Sequence, residues 1–166
     1  MMKIQEALRN VVEGKNLSRD QAFCSAMQIM NGAATAPQIA GLLTGLRMKG
    51  ESVDEIVGFA AAMREMVTPV PVRSADVVDT CGTGGDGKGS FNISTVAALV
   101  AAGAGCRIAK HGNRSVSSRC GSADLLEAMG VRVALSAVDS ARAVREVGIG
   151  FLFAPALHAA MKHAQP

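Results

Sequence analysis

The sequence predicts an α/β protein, with a small N-terminal helical domain followed by an incomplete, mostly parallel α/β domain. Three observations carry that expectation. Apolar residues keep helical spacing from the start of the chain to Val67, and two prolines, Pro69 and Pro71, then interrupt it. Beyond them short apolar runs alternate with helical stripes, the pattern of strands joined by crossover helices. The expected boundaries are residues 1–67 for a helical, dimerising domain, 68–71 for a linker, and 72–166 for the N-terminal part of an α/β domain.

The helical domain reads as four helices. Ile4, Ala7, Leu8, Val11 and Val12 form the first stripe, which Gly14 ends. Ser18 with Gln21 makes a capping box for the second, whose stripe is Phe23, Ala26, Met27 and Met30. Thr35 and Pro37 open the third, through Ile39, Leu42, Leu43 and Leu46 to Gly50. Ser52 with Glu55 is a second capping box, ahead of Ile56, Phe59, Ala60 and Met63. Thr68-Pro69-Val70-Pro71 cannot continue a helix and makes a stiff connector.

In the second domain strands are expected at Val77–Cys81, Arg107–Lys110, Val131–Ala134 and Phe151–Phe153. Helices are expected at Ile93–Ala102, Ser122–Met129, Ala137–Val147 and Leu157–His163. A parallel sheet of this kind binds ligands at the carboxyl ends of its strands. It also needs both faces covered, and three or four strands leave it unfinished.

Composition narrows the function classes. The 166 residues are 49% hydrophobic and 19% charged, which suits a globular chain with a packed core. No apolar run approaches the roughly 18 residues of a membrane helix, and MMKIQEALRN lacks the apolar stretch of a signal peptide. Cys24, Cys81, Cys106 and Cys120 have neither zinc-like nor disulfide-scaffold spacing, so reduced thiols in a cytoplasmic protein are expected. Residues 1–67 carry seven basic and seven acidic side chains, while residues 68–166 carry ten and seven, so the net +3 belongs to the second domain. That excess is too small for a nucleic-acid surface. Phe91 is the only aromatic between Asp76 and Ser122, which leaves no stacking platform for bases. Neither nucleic acid nor membrane is expected as a partner.

The chemistry concentrates between Asp76 and Asn113. After Val77 and Val78, five glycines (Gly82, Gly84, Gly85, Gly87 and Gly89) fall within eight positions, and a helix follows whose first turn carries Asn92, Ser94 and Thr95. Glycines allow close approach to the backbone, and the open N–H groups of a helix start bind anions. Gly82-x-Gly84-x-x-Gly87 matches a dinucleotide fingerprint as a string, yet the second strand ends in Lys110 where that fold needs an acid. Gly82 to Lys88 imitates a P-loop, but Gly89 stands where a Ser or Thr should meet magnesium. A ligand-free loop would not call for five glycines, Asp86 and a hydroxyl-rich helix start together. What remains is a polyphosphate site held partly through a metal. Lys110 neutralises charge there, and Ser94 and Thr95 offer hydroxyls to phosphate or Mg²⁺. Asp86 suits a ribose hydroxyl, loop ordering or a water-bridged metal. The loop from Lys110 to Arg119 comes off the next strand at the same sheet edge, and Ser122 is expected to cap the helix after it.

Asp79-Thr80-Cys81-Gly82-Thr83-Gly84-Gly85-Asp86-Gly87, Phe91-Asn92-Ile93-Ser94-Thr95 and Lys110-His111-Gly112-Asn113-Arg114 together resemble the anthranilate phosphoribosyltransferases of tryptophan biosynthesis. Gly121-Ser122-Ala123-Asp124, Phe153-Ala154-Pro155 and the helical N-terminus extend the match over essentially the whole chain. The resemblance implies transfer of phosphoribose from 5-phosphoribosyl 1-pyrophosphate to the amine of anthranilate, with Mg²⁺ and release of pyrophosphate. It implies that phosphoribosyl pyrophosphate lies among Gly82, Gly85, Asp86, Ser90, Asn92, Ile93, Ser94, Thr95, Lys110, His111, Gly112, Asn113, Arg114, Ser115, Val116, Ser117, Ser118 and Ser122. Ser94 resembles the magnesium ligand, and Gly82 and Asn113 resemble contacts to anthranilate. The family pairs as homodimers through its helical domain, here residues 1–67. It also continues for about as many residues again, with an arginine for anthranilate and an Asp-Glu pair for metal beyond position 166. Residues 1–166 alone are therefore expected to be inactive. Ala159 departs from the family, which commonly has proline after the equivalent of His158.

No nucleophile or base is assigned, because neither Ser94 nor Cys81 has a histidine placed to activate it in the sequence pattern. An aromatic amine brings its own lone pair, so proximity and stabilisation of the leaving pyrophosphate are expected to carry catalysis. Two rivals remain at this level: a pyrimidine nucleoside phosphorylase of the same architecture, and a nucleic-acid-binding relative.

Overall fold

The computed structural model describes residues 3–72, 75, 77–82, 91–115 and 120–164. The chain divides into two compact units, Met1–Val67 together with His158–Pro166, and Thr68–Leu157.

The first unit holds α1 (Ile4–Val12), α2 (Arg19–Met30), α3 (Ala36–Lys49) and α4 (Val53–Met66), the four helices that the apolar spacing predicts. Both capping boxes form. Ser18 Oγ accepts from Gln21 N at 3.3 Å while Gln21 Oε1 accepts from Ser18 N at 2.9 Å. Ser52 Oγ likewise accepts from Glu55 N at 3.3 Å, and Glu55 Oε2 accepts from Ser52 N at 2.7 Å. Ile4, Ala7, Val11, Leu17, Ala22, Ile29, Ile39, Leu42 and Leu46 make the core. Helices α2 and α4 approach so closely at Gly58 that a Cβ there would lie 2.4 Å from the Arg19 carbonyl oxygen and 2.7 Å from Ala22 Cβ, so only glycine fits.

Glu55 is the buried polar hub of this unit. Besides Ser52 N, its carboxylate accepts from Leu17 N at 2.8 Å and from Lys49 Nζ at 2.9 Å. Lys49 Nζ also donates to Asn16 Oδ1 at 2.8 Å and to the Gly50 carbonyl at 2.7 Å. One ion pair thus ties the α1–α2 turn to the α3–α4 turn. Burial raises the Glu55 carboxyl, but the bonds from Leu17, Ser52 and Lys49 outweigh it and hold the group below the ordinary carboxylate range.

The C-terminal segment differs from expectation twice. The sequence places residues 158–166 in the α/β domain, whereas residues 158–164 fall with the helical unit, where Ala164 meets the core. The single helix expected over Leu157–His163 is instead α8 (Ala154–Leu157) and a 3₁₀ turn over Ala159–His163. His158 lies between them at φ −112° and ψ 50°, outside helical values, and the chain changes course there.

The second unit holds β1 (Val77–Val78), α5 (Ile93–Gly103), β2 (Arg107–Gly112), α6 (Ser122–Ala128), α7 (Ala137–Glu146) and β3 (Ile149–Phe153), ahead of α8. The strands form a parallel sheet in the order β1-β2-β3. Val77 pairs with Arg107 and Val78 with Ile108, while β2 pairs with β3 from Ile108–Ile149 to Gly112–Phe153. Strand β1 is therefore shorter than expected and β2 longer. Val131–Ala134 is not a strand. Its alternation buries Val133 with Ala123, Leu126 and Phe151, but the segment joins neither ladder of the sheet. Without a ladder the alternation makes a packed loop. Helix α6 is capped by Gly121, not by Ser122 as the sequence suggests, because Ser122 already has helical geometry.

Candidate functional site

Parallel strands deliver their carboxyl ends, and the helix starts that follow, to one edge of a sheet. Here that edge brings together Asp79 to Gly82 after β1, the first turn of α5, Lys110 to Ser115 in and after β2, and the start of α6.

Lys110 occupies the centre. It is 2% exposed, and its Nζ donates to Ser94 Oγ at 3.2 Å. Burial pushes the ammonium below the ordinary lysine range, and Asp79 and Cys81 oppose that push. Among the described residues no carboxylate forms an ion pair with it. A buried ammonium with a neutral partner is costly, and an anion at the same place would relieve it.

Hydroxyls and amides surround this cation. Thr80 Oγ1 donates to the Ser94 carbonyl at 2.7 Å. Thr95, 1% exposed, donates to Ser122 Oγ at 3.0 Å and approaches Asn92 Oδ1 at 3.4 Å. Asn92 Nδ2 donates to the Cys120 carbonyl at 3.2 Å. Its side chain makes no cap bond to the helix start, although the sequence suggests capping groups there. The first N–H groups of α5 are consequently not taken up by Asn92, which suits an anion.

The second loop is anchored from α6. Asp124 Oδ2 accepts from Ser115 N at 2.9 Å and Gly121 N at 2.8 Å, so one oxygen holds both ends of the stretch between them. These two bonds, with Arg114 nearby, keep the Asp124 carboxyl below its ordinary range. Arg114 turns towards α6, bonding both carboxylate oxygens of Glu127, lying 3.5 Å from Asp124 and stacking 5.7 Å from the Phe153 ring centroid. The chain closes so tightly at Gly121 that a Cβ would lie 2.4 Å from Ser115 N and 2.7 Å from the Asn113 carbonyl oxygen. That Asn113 carbonyl accepts from Ala123 N at 3.1 Å.

Of the residues singled out in the sequence, Lys110 and Ser94 form one hydrogen-bonded pair, and Asn92, Thr95 and Ser122 form a second set beside it at the starts of α5 and α6. Gly82 has open space where a Cβ would be, and Ile93 is exposed. Gly112 lies against Phe151 and Ser122. Gly85, Asp86, Ser90, Val116, Ser117 and Ser118 lie outside the described residues. Cys81 corrects one expectation: its Sγ lies 4.0 Å from His111 Nδ1, so a histidine does stand beside it. The pair comes from two strands' ends, 30 residues apart, which spacing along the chain does not display.

Sequence reasoning also missed Asp79. Its Oδ1 accepts from Cys81 N at 3.0 Å and from His111 N at 3.2 Å. An aspartate at a strand end whose side chain can bond the amide two residues on was the available signal.

The described residues supply magnesium with one neutral oxygen, Ser94 Oγ, already beside an ammonium, and no cluster of three His, Cys, Asp or Glu side chains occurs among them. Mg²⁺ usually takes one or two carboxylates besides substrate phosphates. This donor set does not fit a resident cation, and fits an ion that arrives on a pyrophosphate. No helix among the described residues is long and apolar enough to cross a membrane.

Residues 5–67 match the model of a glycosyl transferase family helical bundle domain, and residues 74–166 match that of a glycosyl transferase family a/b domain. The chain is 57% identical over 167 residues to an anthranilate phosphoribosyltransferase of Solibacter usitatus, covering 99% of this chain and 49% of the relative. It is 56% identical to that of Teredinibacter turnerae, covering 98% and 48%. The chain thus spans about half the length of the curated relatives it matches. The crystal structure of anthranilate phosphoribosyltransferase from Thermus thermophilus superposes with a TM-score of 0.85 at 46% identity, covering 95% of this chain and 48% of that one. The Saccharomyces cerevisiae enzyme in complex with PRPP and Mg superposes at 0.84 with 26% identity, covering 96% and 48%.

Proposed function

The chain belongs to the glycosyl transferase family with a helical bundle and an a/b domain, and from that membership we propose that the protein transfers phosphoribose from 5-phosphoribosyl 1-pyrophosphate to the amine of anthranilate. The observation that carries the reading is Lys110, an ammonium 2% exposed that meets a hydroxyl and no carboxylate among the described residues. A pyrophosphate placed at Lys110 and the start of α5 would gain charge-assisted bonds there.

In the reaction the amine nitrogen bonds to the ribose C1, the C1–O bond to pyrophosphate breaks, and the product nitrogen loses a proton to solvent. Lys110 and the α5 amides take the leaving charge, and Thr95 and Ser122 hold the two helix starts in register. Mg²⁺ belongs to the substrate here, neutralising its pyrophosphate, with Ser94 Oγ as a neutral contact. We assign Gly82, with open space where a Cβ would be, and Asn113 to anthranilate. Gly85, Asp86, Ser90, Ser117 and Ser118 are proposed to complete the phosphate and ribose contacts. We place the protein in the cytoplasm, as its thiol pattern suggests.

The test is incubation of the full-length protein with both substrates and Mg²⁺, following phosphoribosyl-anthranilate by chromatography and pyrophosphate release. Absence of product, or phosphate-dependent cleavage of a pyrimidine nucleoside in its place, would overturn the reading. Ser94→Ala is expected to raise the Mg²⁺ concentration for half-maximal rate more than the KM for anthranilate. A superimposable magnesium curve with a raised anthranilate KM would remove Ser94 from that role.

We also propose a homodimer through residues 1–67. Val12, Met48, Val53 and Ile56 stay exposed on helices of the segment 1–67, whose seven basic and seven acidic side chains cancel. Sedimentation of the full-length protein is expected to show a dimer, and a concentration-independent monomer would refute it.

A further inference from the structure

We infer that Asp79 is a positioning residue, whose single Oδ1 separates the ends of β1 and β2 and thereby opens the anion site between them.

The β1–β2 ladder stops at Val78–Ile108, although β2 runs on to Gly112 in register with β3. Ile108 N bonds to the Gly148 carbonyl on the β3 side at 2.9 Å. Backbone amides alternate sides along a strand, so the amide of His111 faces β1. A continued ladder would satisfy it with a β1 carbonyl. Asp79 Oδ1 accepts it at 3.2 Å in place of that carbonyl, while the same oxygen accepts from Cys81 N at 3.0 Å and turns the departing chain. The side chain thus substitutes for the ladder at the exposed end of the sheet, where one carboxylate oxygen takes the place of a strand carbonyl.

Three placements depend on that divergence. Thr80 reaches the Ser94 carbonyl at 2.7 Å, Lys110 Nζ reaches Ser94 Oγ at 3.2 Å, and Cys81 Sγ comes to 4.0 Å from His111 Nδ1. Without the shared acceptor, Cys81 and His111 lose their amide partner together, and residues 80–82 are free to close on β2. Asp79 acts through these neighbours. The kinetic part of this inference rests on the proposed function; the structural part does not.

The experiment compares wild-type full-length protein with Asp79→Ala and Asp79→Asn. The Asn variant keeps an oxygen acceptor and drops the charge. In the Ala variant the Cys81 and His111 amides are expected to lose hydrogen-exchange protection together. The KM for phosphoribosyl pyrophosphate is expected to rise roughly tenfold to a hundredfold, the usual cost of a misplaced binding group. Asparagine is expected to restore both protection and KM close to wild type. An Ala variant with both amides protected and a wild-type KM overturns the inference, as does an Asn variant as impaired as Ala, which would make charge and not geometry the cause. Should the Ala variant not fold, unprotected Cys81 and His111 amides in the wild type overturn it. Wild-type protein that protects both amides, loses that protection in the Ala variant and still binds no phosphoribosyl pyrophosphate refutes the proposed function and supports the clasp.

Discussion

Replacing Glu55 with alanine is expected to destabilise the helical unit by about 3–5 kcal/mol, the cost of removing one partner from a buried ion pair. The Glu55 side chain is 1% exposed and that of Lys49 8%, so water cannot replace what is lost. The substitution strands the amides of Leu17 and Ser52 as well as the Lys49 ammonium. Urea unfolding of the full-length protein, followed by hydrogen exchange within residues 3–66, should show the loss. A midpoint unchanged from wild type would remove Glu55 as the hub. The double variant Glu55→Leu with Lys49→Met is expected to recover part of the stability, because it no longer buries a lone charge, but not all, because the two amides remain without acceptors.

The same pair sets a pH dependence whose sign follows from its direction. The folded Glu55 carboxyl is held below its ordinary value, which is about 4.3 in an unfolded chain. Its stabilisation is therefore complete above that value and is lost as pH falls through the lower, folded one. The stability difference between wild type and Glu55→Gln should shrink on acidification below about pH 4. A difference that grows in acid would contradict this assignment.

Lys110→Ala is expected to weaken phosphoribosyl pyrophosphate binding about tenfold or more, since a hydrogen bond to a charged group is worth about 1.5–3 kcal/mol. Calorimetric titration with phosphoribosyl pyrophosphate and Mg²⁺ measures the change, and unchanged affinity would take Lys110 out of the site. Folding should suffer little, because no carboxylate among the described residues pairs with this buried cation, and removing it relieves desolvation instead of breaking a pair.

Much of this protein is written locally. The helices over residues 4–66 follow from apolar spacing and from Ser18–Gln21 and Ser52–Glu55, whose capping bonds span only three residues. The break after Val67 follows from two prolines, and the glycine-rich stretch with Lys110 carries our proposal of an anion site because glycine, helix start and cation each act through short-range chemistry. The same spacing misleads at Val131–Ala134. Alternation there reports that Val133 is buried, which is true, but pairing is a property of two strands, and the segment joins no ladder. Arg114 shows the same limit: as a residue type it suits phosphate, yet Glu127 and Phe153 claim it from α6 and β3.

By itself, then, the sequence determined the helical and α/β halves and the capping turns, because propensity and capping are properties of neighbours along the chain. Tertiary structure alone decided that residues 158–164 return to the helical unit, that Glu55 bridges two turns, that Cys81 meets His111 and that Asp79 Oδ1 accepts from the amides of both Cys81 and His111. Each of those depends on which buried amide or charge lacks a partner once the strands and helices have packed, and that is settled by distances across space between residues the chain keeps far apart.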